Sequence, residues 1–363
     1  MGIMAGAGFL VIFWGICNRF SIYPVQMTLS SPEFISSMGN VNWMCGYLSL
    51  IVPLIVGIYF GAETKWQKNL ILIPTALSMG FLIVEGSESA FLILIVLFLG
   101  VFFLAGTEET YQNRFYELLV LFFGCTQFMR LWNVVRPGDL NKLEPLTELF
   151  LGNLGAAGLL ISVLLLVWKP HWNSLFRRCT KYVLVLGGLL VVILITINTS
   201  YAGTILGKGY FYFSDNWGSG RGRIYYDGVL VFQHMPLWRK LIGVGPDCFA
   251  NFAYSQEVIN NLLQQQFPGA RLTNAHNEAL TMLVNMGVLG MVSFLYLLWT
   301  SAKIAKQKAA SETIENRVYY GLTLAILCYF VHNMVSFAQI ESTPILFLLV
   351  GLSLAEPYGR ATK

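Results

Sequence analysis

Long apolar runs separated by short polar segments dominate the pattern of the chain. A helix that crosses a bilayer needs about 20 mostly apolar residues, because the hydrocarbon core is about 30 Å thick. Backbone groups in lipid find no water to bond, so such runs must fold as helices. The pattern therefore predicts an all-α, polytopic membrane bundle with about ten spans. The runs are 3–17, 43–60, 69–85, 89–105, 117–134, 147–168, 182–198, 277–300, 318–337 and 343–356.

One long polar segment interrupts this pattern and divides the chain into amino-terminal spans (1–198), a large loop (199–276) and carboxy-terminal spans (277–363). The loop contains helix-length pieces, "YYDGVLVFQHM" and "QEVINNLLQQQF". Loops of this length are usually either functional or disordered. Its many aromatic residues argue against disorder. Any chemistry is therefore expected in residues 199–276.

Composition supports the membrane assignment. Of 363 residues, 56% are hydrophobic and 12% are charged, whereas soluble domains carry about 25% charged residues. The net charge of +4 is too diffuse to indicate a nucleic-acid partner. The six cysteines show no CxxC spacing, and none of the four histidines has ligand spacing to another histidine or cysteine. We therefore expect neither a metal nor a cofactor.

The short loops predict the orientation. Most lysines and arginines outside the long loop fall on one side if the spans alternate, in "GAETKWQKN", "WKPHWNSLFRRCTKY", "SAKIAKQKAASETIENR" and "GRATK". The positive-inside rule makes that side cytoplasmic, with both termini. Arg19 is the exception. The long loop then lies outside, where nucleotide donors are not supplied, so a substrate must arrive already activated, as lipid-linked donors do.

The segment "NWGSGRGRIYYDG" places two arginines, Arg221 and Arg223, among four glycines. Glycine allows the backbone to approach a ligand closely, and a guanidinium binds phosphate oxygens in pairs. The segment is a candidate phosphate site. The alternative is a flexible loop tip with solvated arginines, which would show the same sequence pattern.

A polar cluster in "TNAHNEALTMLVNMGVLG" opens the eighth apolar run. Thr273 or Asn274 can cap a helix starting near His276, and a positive helix end keeps an imidazole neutral. His276 is thus a candidate proton acceptor; the alternative is a bystander in a capping cluster. In "LIGVGPDCF" we predict a turn into a short helix with Asp247 as its cap.

Among the polar residues within predicted spans are Arg130, His332 and Asn333. Arg130 is about one turn from the outer end of its span, where a cation either snorkels or faces a polar cavity. His332 and Asn333 lie in the ninth run and are expected to pack within the bundle.

Taken in order, "GSGRGRIYYDG", "LIGVGPDCFANF" and "NAHNEALTMLVNMGVLG" resemble the motifs of the O-antigen ligase and polymerase superfamily. Upstream, "MGNVNWMCGYLSLIVPL" resembles its Gly-Asn-x-Asn segment, which contains Asn42. "YFVHNMVSFAQIESTPILFLLVGLSLA" resembles its closing spans. The similarity extends over nearly the whole chain and is strongest from 218 to 290.

The resemblance implies a metal-independent, inverting glycosyltransferase with a GT-C-like helical fold in the bacterial cytoplasmic membrane. Its donor would be a glycan on undecaprenyl diphosphate, and its acceptor a hydroxyl on another glycan or glycolipid. Arg221 would hold the diphosphate. His276 would act as general base on the acceptor or orient the diphosphate. Arg223, Arg130, Asn277 and Asn42 are the further substrate-binding candidates. Both catalytic side chains are expected to face one cavity at the outer membrane surface.

Two departures and three alternatives remain. Glu88 stands where many relatives carry a second arginine, for which Arg130 or Arg223 is the candidate replacement. The abrupt apolar start suggests that one or two amino-terminal helices are missing. Ligase-type transfer is favoured over a polymerase of the same superfamily. From other classes, a transporter of lipid-linked glycans predicts charges at mid-membrane and paired broken helices, and a scaffold predicts no ordered polar motifs.

Overall fold

The computed structural model describes residues 1–27, 35–106, 108–136, 140, 145–310 and 318–355, and every regular element among them is a helix. In chain order the helices are α1 (Gly2–Arg19), α2 (Val41–Gly61), α3 (Lys65–Val84), α4 (Ser89–Ala105), α5 (Glu109–Val135), α6 (Pro145–Leu151), α7 (Asn153–Trp168), α8 (Ser174–Ser200), α9 (Trp217–His234), α10 (Leu237–Ile242), α11 (Phe249–Ser255), α12 (Glu257–Gln266), α13 (Glu278–Asn285), α14 (Gly287–Ala309), α15 (Tyr319–His332) and α16 (Thr343–Leu354). The predicted all-α class is confirmed.

Each predicted apolar run contains a helix, but fewer helices than expected are long enough to span a bilayer. Within the described ranges six qualify by length and hydropathy, α1, α2, α3, α5, α8 and α14. A seventh is added if α6 and α7, bent by 49° at their junction, form one span. The helices α4, α15 and α16 are apolar but shorter. The protein is therefore a membrane protein with six or seven candidate spans among the described residues, and the predicted total of about ten stays a prediction.

The chain divides into two compact units. The first comprises residues 1–171, 298–332 and 339–363. Its centre is α2, which packs against α15. A Cβ at Gly57 would lie 2.4 Å from the Cα of Gly321, so these two helices approach as closely as small residues allow.

The second unit comprises residues 172–297 and 333–338. Its core joins α9, α11, α12 and α13 through fully buried apolar side chains such as Val231, Phe249, Leu263 and Val284. The two helix-length pieces expected in the long loop are helices, in α9 and α12. Because this unit also contains α8, its bounds differ from 199–276. The predicted division by membrane side stays a prediction.

Two predicted spans have different bounds in the structure. The run 277–300 is broken at Gly287, whose φ of +69° ends the short helix α13 before α14 begins. A Cβ at Gly287 would lie 2.3 Å from the Leu241 carbonyl oxygen, so a larger residue does not fit there. The run 318–337 is helical only to His332. Residues 333–338 leave the helix and belong to the second unit.

Candidate functional site

A left-handed turn positions Arg221 at the beginning of the regular part of α9. Gly218, Ser219 and Gly220 all have positive φ, at 58°, 61° and 90°. Two glycines make such a turn accessible at little steric cost. The turn brings the Arg221 Nη1 to 2.9 Å from the Gly218 carbonyl oxygen, to which it donates a hydrogen bond. The Arg221 Nε is buried and finds no hydrogen-bond acceptor among the described residues, so this N–H is unsatisfied by the described part of the chain.

Arg223, two residues further on, is already engaged. Its guanidinium lies 3.4 Å from the buried carboxylate of Asp227 and 3.7 Å from Asp215, and it stacks over the Tyr226 ring at 5.1 Å. Burial raises the pKa of Asp227, while the nearby Arg223 opposes that shift. These contacts indicate that Arg223 holds the start of α9 in place.

His276 lies immediately before the cap of α13, in left-handed backbone with a φ of +47°. Its backbone N–H donates to the Asn274 Oδ1 at 2.9 Å. Its ring packs against Phe337, with ring centroids 5.2 Å apart. Positive φ is uncommon outside glycine and is typical of functional sites. The backbone and the ring of His276 are therefore each held by one contact.

The cap of α13 is Asn277, and the expectation of Thr273 or Asn274 as cap is wrong. The Asn277 Oδ1 accepts a hydrogen bond from the Leu280 N–H at 3.0 Å. Its Nδ2 donates to the Met334 carbonyl at 2.7 Å. The helix begins two residues later than expected, because the chain first turns at His276. With both ends of its amide used, Asn277 positions the neighbouring histidine.

His276 and Arg221 lie close enough to interact electrostatically. Burial lowers the pKa of His276 below the ordinary histidine value, and the positive charge of Arg221 lowers it further. These effects support the expected neutral imidazole. The causes are burial and the charge of Arg221, whereas the sequence suggested the positive end of a helix. Burial also raises the pKa of the Tyr225 hydroxyl, and the charge of Arg221 opposes that increase.

Residues 333–338 complete this site, and sequence reasoning missed them. The Met334 carbonyl accepts from the Tyr225 hydroxyl at 3.2 Å as well as from Asn277. The Asn333 carbonyl accepts from the Glu278 N–H at 2.8 Å. The segment thus ties α9 to α13. The polar residues His332, Asn333 and Ser336 within an apolar run were the available signal. His332 and Asn333 are buried, as expected.

A cavity of about 660 Å³ lies beside His276. Asn274, Glu278 and Phe337, which surround the histidine in sequence or space, are among its lining residues, but His276 and Arg221 themselves are not. Burial raises the pKa of Glu278, against the opposing effect of a hydrogen bond from the Ala338 N–H. Asp247 also lines the cavity.

The "LIGVGPDCF" segment docks on the end of α13. Val244 N–H donates to the Val284 carbonyl at 3.0 Å, and Gly245 N–H donates to the Asn285 carbonyl at 2.9 Å. Asp247 does not cap α11: the N-cap is Cys248, without a side-chain cap bond. Asp247 instead has a φ of +53° and faces the cavity, so the expected cap is wrong.

The two remaining candidates lie in the first unit. Arg130 is exposed near the end of α5, as a snorkelling side chain would be. The Asn42 Oδ1 accepts a hydrogen bond from the Ser87 hydroxyl at 3.0 Å. Their predicted substrate contacts stay predictions.

Comparison with known proteins identifies part of the chain. A family model described as O-antigen ligase matches residues 146–295, less than half of the chain. The matched stretch runs from α6 into α14 and contains Arg221 and His276. No curated protein matches the chain. Residues 146–295 are therefore similar to O-antigen ligase domains, as the resemblance to the O-antigen ligase and polymerase superfamily predicted.

Proposed function

We propose that the protein is a membrane glycosyltransferase with a GT-C-like architecture. It moves a glycan from undecaprenyl diphosphate to a hydroxyl of another glycan or glycolipid. The reaction takes place on the external face of the bacterial cytoplasmic membrane, with both termini on the cytoplasmic side. The family match supports O-antigen ligase or polymerase activity. The observation that carries the specific proposal is the pairing of Arg221 with His276.

Arg221 is suited to the diphosphate. One Nη is fixed on the Gly218 carbonyl, and the Nε is buried without an acceptor in the described part of the chain. A phosphate can satisfy the Nε–H and the neighbouring Nη–H together, in the paired geometry that guanidinium groups favour. Arg223 supports this arrangement by anchoring α9, where two carboxylates face it; its role as a replacement for the second arginine stays a prediction.

His276 is suited to accept a proton. Its lowered pKa keeps the imidazole neutral near pH 7, the form that a general base requires. Arg221, which lowers this pKa, also stabilises negative charge on the leaving diphosphate. Arg221 thus keeps the base neutral and also stabilises the leaving group.

The step balances without a further reactant. The acceptor oxygen forms a bond to the anomeric carbon of the donor sugar, and its proton passes to His276. The bond between that carbon and the diphosphate oxygen breaks, and undecaprenyl diphosphate leaves with the electron pair. Direct displacement of this kind inverts the anomeric configuration. The leaving group requires charge stabilisation, which fixed donors supply effectively in a water-poor site.

Ligase and polymerase differ only in the acceptor, and we favour the ligase. The transporter alternative predicts charges at mid-membrane and gains no support from the site, since His276 and Arg221 belong to the predicted large loop, 199–276. Arg130 and Asn42 are retained as proposed contacts to the lipid-linked donor.

A transfer assay tests the proposal. Purified full-length protein is incubated with an undecaprenyl-diphosphate oligosaccharide and candidate acceptor glycans. We expect His276→Ala and Arg221→Ala each to lower the rate by about 10²–10³-fold. The matched controls His234→Ala, at an exposed histidine, and Arg239→Ala, at an arginine stacked on Trp238, should keep the rate. Equal rates for the site variants and the controls would reject the assigned roles.

A further inference from the structure

The cavity beside His276 has the chemistry of a sugar site. Its volume of about 660 Å³ is in the range of small-molecule sites. Three amide side chains line it, Asn251, Asn274 and Asn285. Amides both donate and accept hydrogen bonds, as vicinal hydroxyls require. Phe337 adds an aromatic ring to the same lining, which supplies an apolar face for the C–H surface of a sugar ring.

One of these amides has unused bonding capacity. The Asn285 Oδ1 is buried and has no hydrogen-bond donor among the described residues. A buried acceptor without a partner costs about 1–3 kcal/mol. A hydroxyl or N-acetyl N–H of a bound sugar would satisfy it, which gives the cavity a specific anchoring atom.

The charges of the cavity disfavour a phosphate. Asp247 and Glu278 both line it, against the one guanidinium of Arg271. Arg271 is itself held by the Asn251 Oδ1 at 2.9 Å and lies over the Tyr254 ring at 5.4 Å. The lining therefore offers no excess positive charge to a diphosphate. Arg221, the residue suited to phosphate, is not part of this lining.

The cavity is connected to the proposed base through its own lining residues. The Asn274 Oδ1 accepts a hydrogen bond from the backbone N–H of His276, and Phe337 packs on the imidazole ring. Glu278 follows the Asn277 cap, and its Oε2 accepts the Ala338 N–H. A ligand in the cavity therefore contacts two residues that touch His276.

We propose that this cavity binds uncharged sugars of the acceptor glycan and excludes phosphorylated or acidic ones. This inference rests on the proposed function, because it assigns the acceptor to one side of His276 and the lipid diphosphate to the Arg221 side. The acceptor class that follows is a neutral or N-acetylated oligosaccharide.

Saturation-transfer NMR on the detergent-solubilised full chain tests this assignment. The probes are three neutral trisaccharides (cellotriose, maltotriose and chitotriose) and one acidic trisaccharide, trigalacturonic acid. We expect at least one neutral trisaccharide to bind and trigalacturonic acid not to. Asn285→Leu and Asn251→Leu should each weaken binding at least about fivefold, the cost of one lost polar contact of about 1 kcal/mol. Asn261→Leu, at an exposed amide of α12, is the matched control and should leave binding unchanged.

Charge and competition provide independent readouts. Asp247→Asn keeps a residue that tolerates positive φ and removes one carboxylate, so trigalacturonic acid should gain affinity. Undecaprenyl diphosphate should not displace the neutral sugar. Failure of all three neutral probes to bind, equal binding by the asparagine variants and the control, or displacement by undecaprenyl diphosphate would each overturn the proposal. If the sugar-binding proposal fails while transfer still depends on His276, the glycosyltransferase proposal stays intact. If the cavity binds sugar but transfer does not depend on His276, only the catalytic roles are rejected.

Discussion

His276 occupies a backbone conformation that non-glycine residues rarely adopt, with a φ of +47°. A conformation of this kind costs about 1–3 kcal/mol and persists where its surroundings enforce it. Here Asn274 holds the backbone N–H and Phe337 holds the ring. The turn at His276 delays the start of α13 and leaves the imidazole packed on Phe337, within electrostatic reach of Arg221.

The charge of Arg221 should be visible in the pH dependence of transfer. Because burial and Arg221 lower the pKa of His276, the base stays neutral until the pH falls below the ordinary histidine value of 6.5. The acid limb of kcat/KM against pH, which reports the free enzyme, should therefore lie below pH 6.5. In Arg221→Gln the limb should move to higher pH, because the charge that opposes protonation is gone.

Arg221→Lys is the control for this prediction. It keeps the positive charge, so the acid limb should stay near its original position even though the paired phosphate geometry is lost and the rate falls. Identical limbs in Arg221→Gln and the unmodified protein would show that the two groups do not interact.

Asn277 contributes to stability as well as to position. Asn277→Ala removes the cap bond to Leu280 and the tie to Met334, and should lower the free energy of unfolding by about 1–3 kcal/mol. Thermal unfolding in detergent measures the loss. Asn277→Asp retains the cap oxygen but loses the donor to Met334, so its loss should be intermediate. Unfolding temperatures equal to that of Asn261→Ala would contradict this role.

The residue types of the site could be predicted from the sequence, but their conformations could not. A guanidinium among glycines and an imidazole at a helix start indicated Arg221 and His276. The cap was misassigned because threonine and both asparagines of "TNAHN" are all residues that can cap a helix. Nothing in the local sequence distinguishes them, since the Met334 carbonyl that selects Asn277 is 57 residues away.

At the scale of elements, two glycines, Gly243 and Gly287, let α10 and the end of α13 meet. A Cβ at Gly243 would lie 2.1 Å from the Asn285 carbonyl oxygen, and Gly243 has a φ of +81°. The same junction supplies the backbone bonds of Val244 and Gly245 to α13. The glycine-rich "LIGVGPDCF" segment is thus explained by packing, with Asp247 left to face the cavity.

Gly243→Ala should therefore destabilise the fold far more than Gly269→Ala. Both positions have positive φ, at 81° and 76°, but a Cβ at Gly269 meets nothing within 4 Å. The backbone penalty of about 1–2 kcal/mol is common to both, and only Gly243→Ala adds a clash with backbone. Unfolding temperature and monodispersity after purification give the comparison. Equal losses in the two variants would show that the close approach does not matter.

Helix positions followed from hydropathy, whereas their breaks did not. Every apolar run contains a helix, because lipid and protein interiors both require internal backbone bonding. The break at Gly287 and the exit after His332 occur inside runs that remain apolar on both sides. They are imposed by contacts with Leu241 and with α13, which hydropathy does not register.

At the scale of the whole molecule, the proposed topology can be tested with cysteines. Cys179 is exposed in the basic segment that the positive-inside rule places in the cytoplasm. Gln265 is exposed on α12, in the segment proposed to lie outside. In a background without other cysteines, a membrane-impermeant maleimide should label Gln265→Cys in intact cells, and Cys179 only after permeabilisation. The reverse pattern would place the site in the cytoplasm and remove the argument for a lipid-linked donor.

The central claim is that Arg221 holds the diphosphate while His276 takes the acceptor proton. Parallel measurement of undecaprenyl-diphosphate binding and single-turnover transfer in His276→Gln tests it most directly, with His234→Gln as control. We predict donor binding within about twofold of the unmodified protein and transfer slowed by about a hundredfold or more. Transfer at the control rate, or donor binding lost in proportion to transfer, would contradict the assignment of His276 as the base.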